Sequence, residues 1–286
     1  MGVVIDTPQL RMEIKFVSVE SLYTHEETIP AALDQLQQEL LEEQILKHPI
    51  IVDLKTNVVL DGMHRVAALK NLQCEIAPVC LVNYLNPAIE LYAWYREFDG
   101  DSSFKSLLSE VSSKGRYKQL RRSSKQAYEI VNARKAMAAL ASGKKAFLLT
   151  PLKSPTIKEI YDKIVEIEVI AQKMSFETVY STEADALASL QSEKHPVLIV
   201  PSLTKEEVVE SALQKILFAH KTTRHVVPAR PLFTNVPLSW LKEKNLEEAN
   251  QKLFAYLKSK RIIKKEPGSV IDGRRYEEHT YLFTDP

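Results

Sequence analysis

Val58-Val59-Leu60-Asp61-Gly62-Met63-His64-Arg65-Val66-Ala67-Ala68-Leu69-Lys70-Asn71-Leu72 is the stretch on which the fold of this chain turns. Val58, Val59 and Leu60 form a short apolar run that reads as the end of a buried strand. Asp61-Gly62 is a turn dipeptide, and its glycine lets the backbone reverse or approach a ligand closely. From His64 onward Val66, Leu69 and Leu72 recur at helical spacing, and Ala68 pairs with Leu72. A helix start after a tight turn carries unpaired backbone N–H groups and a partial positive charge, which suits phosphate. Asp61, His64 and Arg65 add a carboxylate, an imidazole and a guanidinium, the types that a phosphate-plus-metal site uses. By spacing alone the same residues also fit a plain hairpin or cap turn, with His64 and Arg65 solvated in the first helical turn.

The whole chain sets the bounds. Its 286 residues suffice for one large or two modest domains with ample core. Hydrophobic residues at 45% and charged residues at 26% are ordinary for a soluble globular protein. A formal net charge of +1 argues against tight nonspecific nucleic-acid binding, which favours a basic face. The two cysteines, Cys74 and Cys80, read as lying on one strand; their spacing suits neither a metal pair nor a redox pair, which leaves core packing. No apolar run reaches membrane-spanning length, and Met1-Gly2-Val3-Val4-Ile5-Asp6-Thr7 lacks a signal-peptide pattern. Asp6 stands where a myristoylation motif carries Ser or Thr, so the expected address is cytoplasmic, without a membrane partner.

Working outward, residues 12–19 alternate apolar and polar and read as a first strand. Tyr23-Thr24-His25-Glu26-Glu27-Thr28 is a titratable loop, either the acidic approach to a helix or a source of a carboxylate base. Residues 31–47 read as an amphipathic helix with Leu33, Leu36, Leu40 and Leu41 inward, ended by His48-Pro49. Strands are expected at 50–54, 57–60, 74–84 and 89–98. The last holds Tyr92-Ala93-Trp94-Tyr95, aromatic on both faces, which fits core packing or the wall of a small ligand pocket.

After Asp99-Gly100-Asp101 the composition changes. Residues 102–125 are polar, with the run Lys114-Gly115-Arg116-Tyr117-Lys118 and Arg121-Arg122, and read as a linker with solvated charges. A weak internal echo follows: 136–140 as helix, Ala146–Thr150 as strand, then a Thr156-x-x-Glu159 capping box. It returns as helix 184–190, strand 197–200 and Thr204-x-x-Glu207. His220-Lys221-Thr222-Thr223-Arg224-His225-Val226-Val227-Pro228 is dense in anion donors. A basic helix C-terminus would account for Lys221 alone. The tail reads as a helix over 243–258 and a hairpin of 261–263 with 276–283, an accessory packing element or a homodimer contact.

Together these residues resemble a known family. Asp61-Gly62-Met63-His64-Arg65 at a strand-to-helix turn is similar to the signature of the ParB/sulfiredoxin-like superfamily, within which the chain resembles the free L-serine kinases. His25-Glu26, Tyr92-Ala93-Trp94-Tyr95 before Gly100-Asp101, and Lys221–Pro228 match that family's pattern. The resemblance covers about 16–101 and 204–228, is loose between them and absent after about 241.

It implies an α/β (α+β) fold with a ParB/sulfiredoxin-like nucleotide-binding domain over 1–101. A second α/β lobe over 102–240 carries the late motif, and a helix-hairpin extension occupies 241–286. It implies a small-molecule kinase transferring a phosphoryl group from ADP or ATP to the hydroxyl of free L-serine, giving O-phospho-L-serine for cysteine or related biosynthesis. Glu26, by its register to His25, is the implied base, with Glu27 the alternative. Asp61 acts at the reacting centre and on Mg²⁺. Gly62, Met63, His64 and Arg65 cradle the nucleotide phosphates. Trp94, Lys221, Thr222, Thr223, Arg224 and His225 hold the amino acid and its product. Met63 stands where some relatives carry a second histidine and where sulfiredoxins carry their reactive cysteine, which removes that chemistry. The rival reading is a ParB-like nucleotide-binding regulator or DNA-binding protein, which calls for an arginine-rich nucleotide box and a basic helix-turn-helix; neither is evident.

Overall fold

The computed structural model describes residues 2–115, 117–151, 154–192 and 194–286, so Arg116 of the basic run lies outside the described residues. The fold is mixed α/β, and the chain divides into two compact units that interleave along the sequence. One takes Met1–Glu90, Lys205–Leu217 and His225–Pro286; the other takes Leu91–Thr204 and Phe218–Arg224. Among the described residues no helix is long and apolar enough to cross a membrane.

The first unit is built on a five-stranded sheet in the order Val3–Asp6, Arg11–Ser18, Ile76–Val82, Ile50–Asp53, Val59–Asp61. Neighbours are antiparallel except Ile50–Asp53 and Ile76–Val82, which run parallel. Every residue of Ile76–Val82 is buried, as a central strand covered on both faces requires. Along Arg11–Ser18 the alternation places Met12, Ile14 and Phe16 in the core. Cys80 lies on the central strand, whereas Cys74 precedes it; burial pushes the Cys80 thiol up to about 12, so it packs and does not react.

The helix expected over 31–47 spans Pro30–Glu43 and is mostly exposed, with Leu40 buried and Leu41 53% exposed. It stops early because Gln44 adopts φ 55, donating its N–H to the Leu40 carbonyl in a left-handed cap. That frees Ile45–Leu46 to pair with Val236–Pro237.

The tail is built into this unit. Asn245 caps the helix Leu246–Lys258 by accepting from the Glu247 and Glu248 N–H groups. Arg261–Lys265 and His279–Thr284 form the expected antiparallel pair, and His279–Thr284 also runs parallel to Ala229–Leu232. Buried Asn250 reaches the strand Arg11–Ser18. Phe16 lies opposite Pro78, which has no N–H, and Asn250 supplies its backbone partners, accepting from its N–H at 2.8 Å and donating to its carbonyl at 3.2 Å.

The second unit carries a six-stranded antiparallel sheet in the order Glu177–Ser181, Tyr95–Asp99, Val197–Ile199, Ala138–Ser142, Lys145–Thr150, Lys118–Ser123. The polar stretch expected as a helical or loop linker does hold the helix Phe104–Gly115, but its second part is the edge strand Lys118–Ser123 of this sheet. The helix expected over 136–140 is not formed: Ala138–Ser142 is an inner strand with neighbours on both sides, so the first half of the echo is a hairpin. The Thr156/Glu159 capping box and the helix Glu183–Gln191 do form. The single strand expected over 89–98 is split into Glu90–Tyr92 and Tyr95–Asp99, leaving Ala93-Trp94 between them.

Asn250→Ala strips two backbone groups of Phe16 of their partners, at an expected cost of about 1–3 kcal/mol. Urea unfolding checks this: the midpoint drops while the denaturant slope is unchanged.

Candidate functional site

In the first unit the strand Val59–Asp61 passes through Gly62 directly into the helix Met63–Asn71. Gly62 has φ +109, and a Cβ there would stand 2.9 Å from Nε of Arg65, so the turn and the arginine both require glycine. The guanidinium folds back over that turn. Its Nη2 donates to Asp61 Oδ2 at 3.0 Å, and its Nη1 donates to the carbonyls of His48 and Pro49 at 3.1 and 2.6 Å. Arg230 Nη1 donates to the same Asp61 oxygen, and Arg230 Nε donates to Glu278 at 2.7 Å. His64 Nε2 accepts the Ile29 N–H at 2.9 Å, joining the start of this helix to that of Pro30–Glu43.

The His64 and Arg65 side chains thus have partners within the protein, and Met63 is buried. What the helix start offers an anion is its backbone. Val66 makes the first intrahelical bond to Gly62, and Gly62 as the N-cap makes no side-chain capping bond. Burial alone would raise the Asp61 carboxyl, but the guanidiniums of Arg230 and Arg65 hold it well below the usual carboxylate range. It is ionised at any neutral pH.

Glu26 sits in the same unit, with Oε1 4.0 Å from Nε2 of fully buried His25. The His25 and His225 rings meet edge to face at 5.6 Å, and His225 Nε2 lies 2.8 Å from the Tyr84 hydroxyl. Burial pushes the His25 imidazole down to about 4. Burial and then His25 push His225 well below its ordinary value. Both rings are therefore neutral near pH 7. Burial, with Glu206 and Asp53 nearby, raises the Tyr84 phenol, so it keeps its proton. Lys205 fixes the Tyr84 backbone, donating to the carbonyls of Tyr84 and Asn86 at 2.8 and 2.9 Å.

In the second unit the residues around Trp94 and the late motif come together. Lys221 Nζ lies 4.8 Å from the Trp94 ring centroid; the Arg224 guanidinium lies 5.1 Å from the Tyr92 ring and 5.9 Å from Trp94. Thr222 is buried and donates its hydroxyl to the Ala219 carbonyl at 2.8 Å, with buried Thr223 beside it. A second network holds this set in place. Fully buried Arg96 donates to Glu168 at 2.5 Å and to the Trp94 carbonyl at 2.6 Å. Tyr180 donates to Glu168 at 3.1 Å and lies 3.2 Å from His220 Nε2, while Tyr161 donates to the carbonyls of Pro201 and Thr222. Two cations over aromatic faces offer the charge and donors that a small anion or a carboxylate would need.

The motif Lys221–His225 divides at its end: Arg224 belongs to the second unit and His225 to the first. Arg230, Glu278, Tyr84, Lys205 and Arg96 did not stand out in the sequence. The signal for Arg230 was its place between Pro228 and Pro231 just past the late motif; the others carry none.

Among the described residues no group of three or more His, Cys, Asp or Glu side chains stands ready for a metal. The Asp61 side chain retains 38% exposure, with both guanidinium contacts on Oδ2. It fits a divalent cation through one carboxylate oxygen, the others coming from water and phosphate.

No model of a known protein family matches the chain. Individual proteins do. An ATP-dependent L-serine kinase of Staphylothermus marinus is 30% identical over 248 residues, covering 82% of this chain and 94% of that protein. An ADP-dependent L-serine kinase of Thermococcus kodakarensis is 26% identical over 246 residues, covering 82% and 96%. Among solved structures, a free serine kinase in complex with AMP shares the fold with a TM-score of 0.63 at 24% identity, covering 80% of this chain and 93% of that one.

The buried imidazoles make stability pH-dependent. His25 is held at about 4 by burial; His48 is also at about 4, through burial and then Arg65 and Arg230. Their folded values lie below the unfolded one, so their contribution is complete above about pH 6.5 and is lost as pH falls towards 4. Each should steepen the loss by up to about 1.4 kcal/mol per pH unit within that window. Asp61 acts in the opposite range, its contribution fading only below about pH 4. Urea midpoints measured between about pH 7.5 and 4.5 test this, and a flat profile would contradict it.

Proposed function

The chain belongs to the L-serine kinase family, and from that membership we propose that it transfers the terminal phosphoryl group of ADP or ATP to the hydroxyl of free L-serine. The observation that carries the reading is the 30% identity sustained over 82% of the chain with a kinase of that activity. The product is O-phospho-L-serine, a precursor for cysteine or related biosynthesis, and the other product is AMP or ADP.

In this reading the first unit serves the donor. The amides of Met63, His64 and Arg65 receive phosphate oxygens at the helix start, where the dipole favours negative charge. Asp61 is the residue that would hold Mg²⁺, which when bound neutralises developing phosphate charge. Its two arginines keep the carboxylate ionised and oriented. Glu26 takes the proton of the serine hydroxyl as the new oxygen–phosphorus bond forms and the bond to the leaving nucleotide oxygen breaks. His25, neutral beside it, brings no positive charge against which the carboxylate would be neutralised. The second unit serves the acceptor: Lys221 and Arg224 meet the serine carboxylate and Trp94 packs against its small body. Catalysis of this kind is positioning and electrostatic stabilisation, and these residues supply both.

Protein, Mg²⁺ and serine incubated with ADP or with ATP should give phosphoserine together with AMP or ADP respectively; no phosphoserine from either nucleotide would refute the reading. Glu26→Gln and Asp61→Asn should each lower turnover by about a hundredfold or more while leaving the circular dichroism spectrum unchanged. Arg224→Ala should raise the serine KM by about tenfold or more, with nucleotide affinity by isothermal titration within about twofold.

A further inference from the structure

We propose that Glu278, in the C-terminal stretch, is a positioning residue for the reaction, acting on Asp61 through the guanidinium of Arg230. This rests on the kinase reading for what Asp61 does; the contact itself does not.

The geometry is specific. Arg230 is only 8% exposed and lies on the strand Ala229–Leu232, whose parallel neighbour is the C-terminal strand His279–Thr284. Glu278 immediately precedes that strand, where the register sets Ala229 opposite His279 and Arg230 opposite Thr280. The carboxylate is thereby delivered to the edge of the guanidinium: Glu278 Oε1 accepts from Arg230 Nε at 2.7 Å with its own side chain 11% exposed. A guanidinium is planar and rigid, so holding Nε fixes the direction in which Nη1 points. Here Nη1 points at Asp61 Oδ2.

Charge leads to the same residue. Asp61 is in contact with two guanidiniums, Arg65 and Arg230, and also feels the charge of Arg274, so positive charge is in excess around it. Glu278 supplies a second negative charge and reduces that excess at Arg230. Arg230 is held strongly protonated despite burial by Asp61 and Glu278 together. Without Glu278 the guanidinium can turn about its stem, and its charge, with one partner fewer, can draw a nucleotide phosphate away from the helix amides. The tail thus contributes to catalysis without touching substrate.

The test compares the full chain with Glu278→Gln, Asp61→Asn and the double variant. Glu278→Gln should lower kcat about tenfold, as small misplacements of reacting groups do, with the serine KM little changed and the thermal midpoint lowered, because the Arg230 charge loses a partner. In the Asp61→Asn background the same change should cost nothing further, because its route runs through that carboxylate. A wild-type kcat in Glu278→Gln, or an equal further loss in the double variant, would overturn the proposal. The contact is read separately in nitrogen-15 spectra of arginine side chains. The Arg230 Nε–H signal, shifted by its carboxylate partner, should move on Glu278→Gln, and an unmoved signal would overturn the contact. If the wild-type chain forms no phosphoserine, the kinase reading and the catalytic role of Glu278 fall together, while a moved signal still upholds the contact.

Discussion

One carboxylate oxygen, Oδ2 of Asp61, accepts from two guanidiniums, Arg230 buried and Arg65 half-buried, and much of the first unit is arranged around that fact. Each guanidinium is itself anchored. Arg65 is tied to the carbonyls of His48 and Pro49, where the chain turns into the strand Ile50–Asp53. Arg230 is tied to Glu278 at the entry to the last strand. Asp61 therefore joins the strand and helix on either side of Gly62 to segments far away in sequence. Ion pairs removed from water return little net stability, because desolvation offsets the Coulombic gain. Taking away one member is costly, since it strands the charge of the other. What such a cluster secures is orientation, and it does so at the turn where strand passes into helix.

The parts of this fold that were legible in the sequence are those specified locally. Alternation marked the strand Arg11–Ser18, a turn dipeptide followed by helical spacing marked Asp61–Asn71, and a Thr-x-x-Glu box marked the helix beginning at Ile157. Two misreadings have physical causes. Lys118–Ser123 is exposed along almost its whole length, so it has no burial pattern to imprint on the sequence, and its place in the sheet comes from backbone pairing with Lys145–Thr150. Ala138–Ser142 has the composition of a helix, yet it is an inner strand paired on both sides; burial between neighbours outweighs a small intrinsic preference. The early end of the first helix at Gln44 carries no proline or glycine to announce it.

Legibility of the candidate site divides in the same way. Asp61, Gly62 and the late cluster stood out because their chemistry is compressed into short stretches. Arg230 and Glu278 did not, since the contacts that give them meaning span 169 and 48 residues. The interleaving of the two units is similarly invisible to any division made by cutting the chain at points, because Lys205–Leu217 and His225–Pro286 rejoin the unit begun by the N-terminus.

The two acidic residues proposed for catalysis show how environment assigns roles to one functional group. Asp61 lies against two guanidiniums that stabilise its charge, and a carboxylate so stabilised has little tendency to accept a proton near neutrality. It is suited to holding position and charge. Glu26 lies beside His25, which burial keeps uncharged, and beyond His25 stands His225, kept uncharged by the same cause. An imidazolium there would have competed for the carboxylate as a partner; a neutral ring does not. Burying histidines next to Glu26 sacrifices stability below about pH 6.5, and in exchange that carboxylate keeps an electrostatic setting different from the one around Asp61. In the proposed reaction such a difference of surroundings is what lets one carboxylate take up a proton while the other stays ionised.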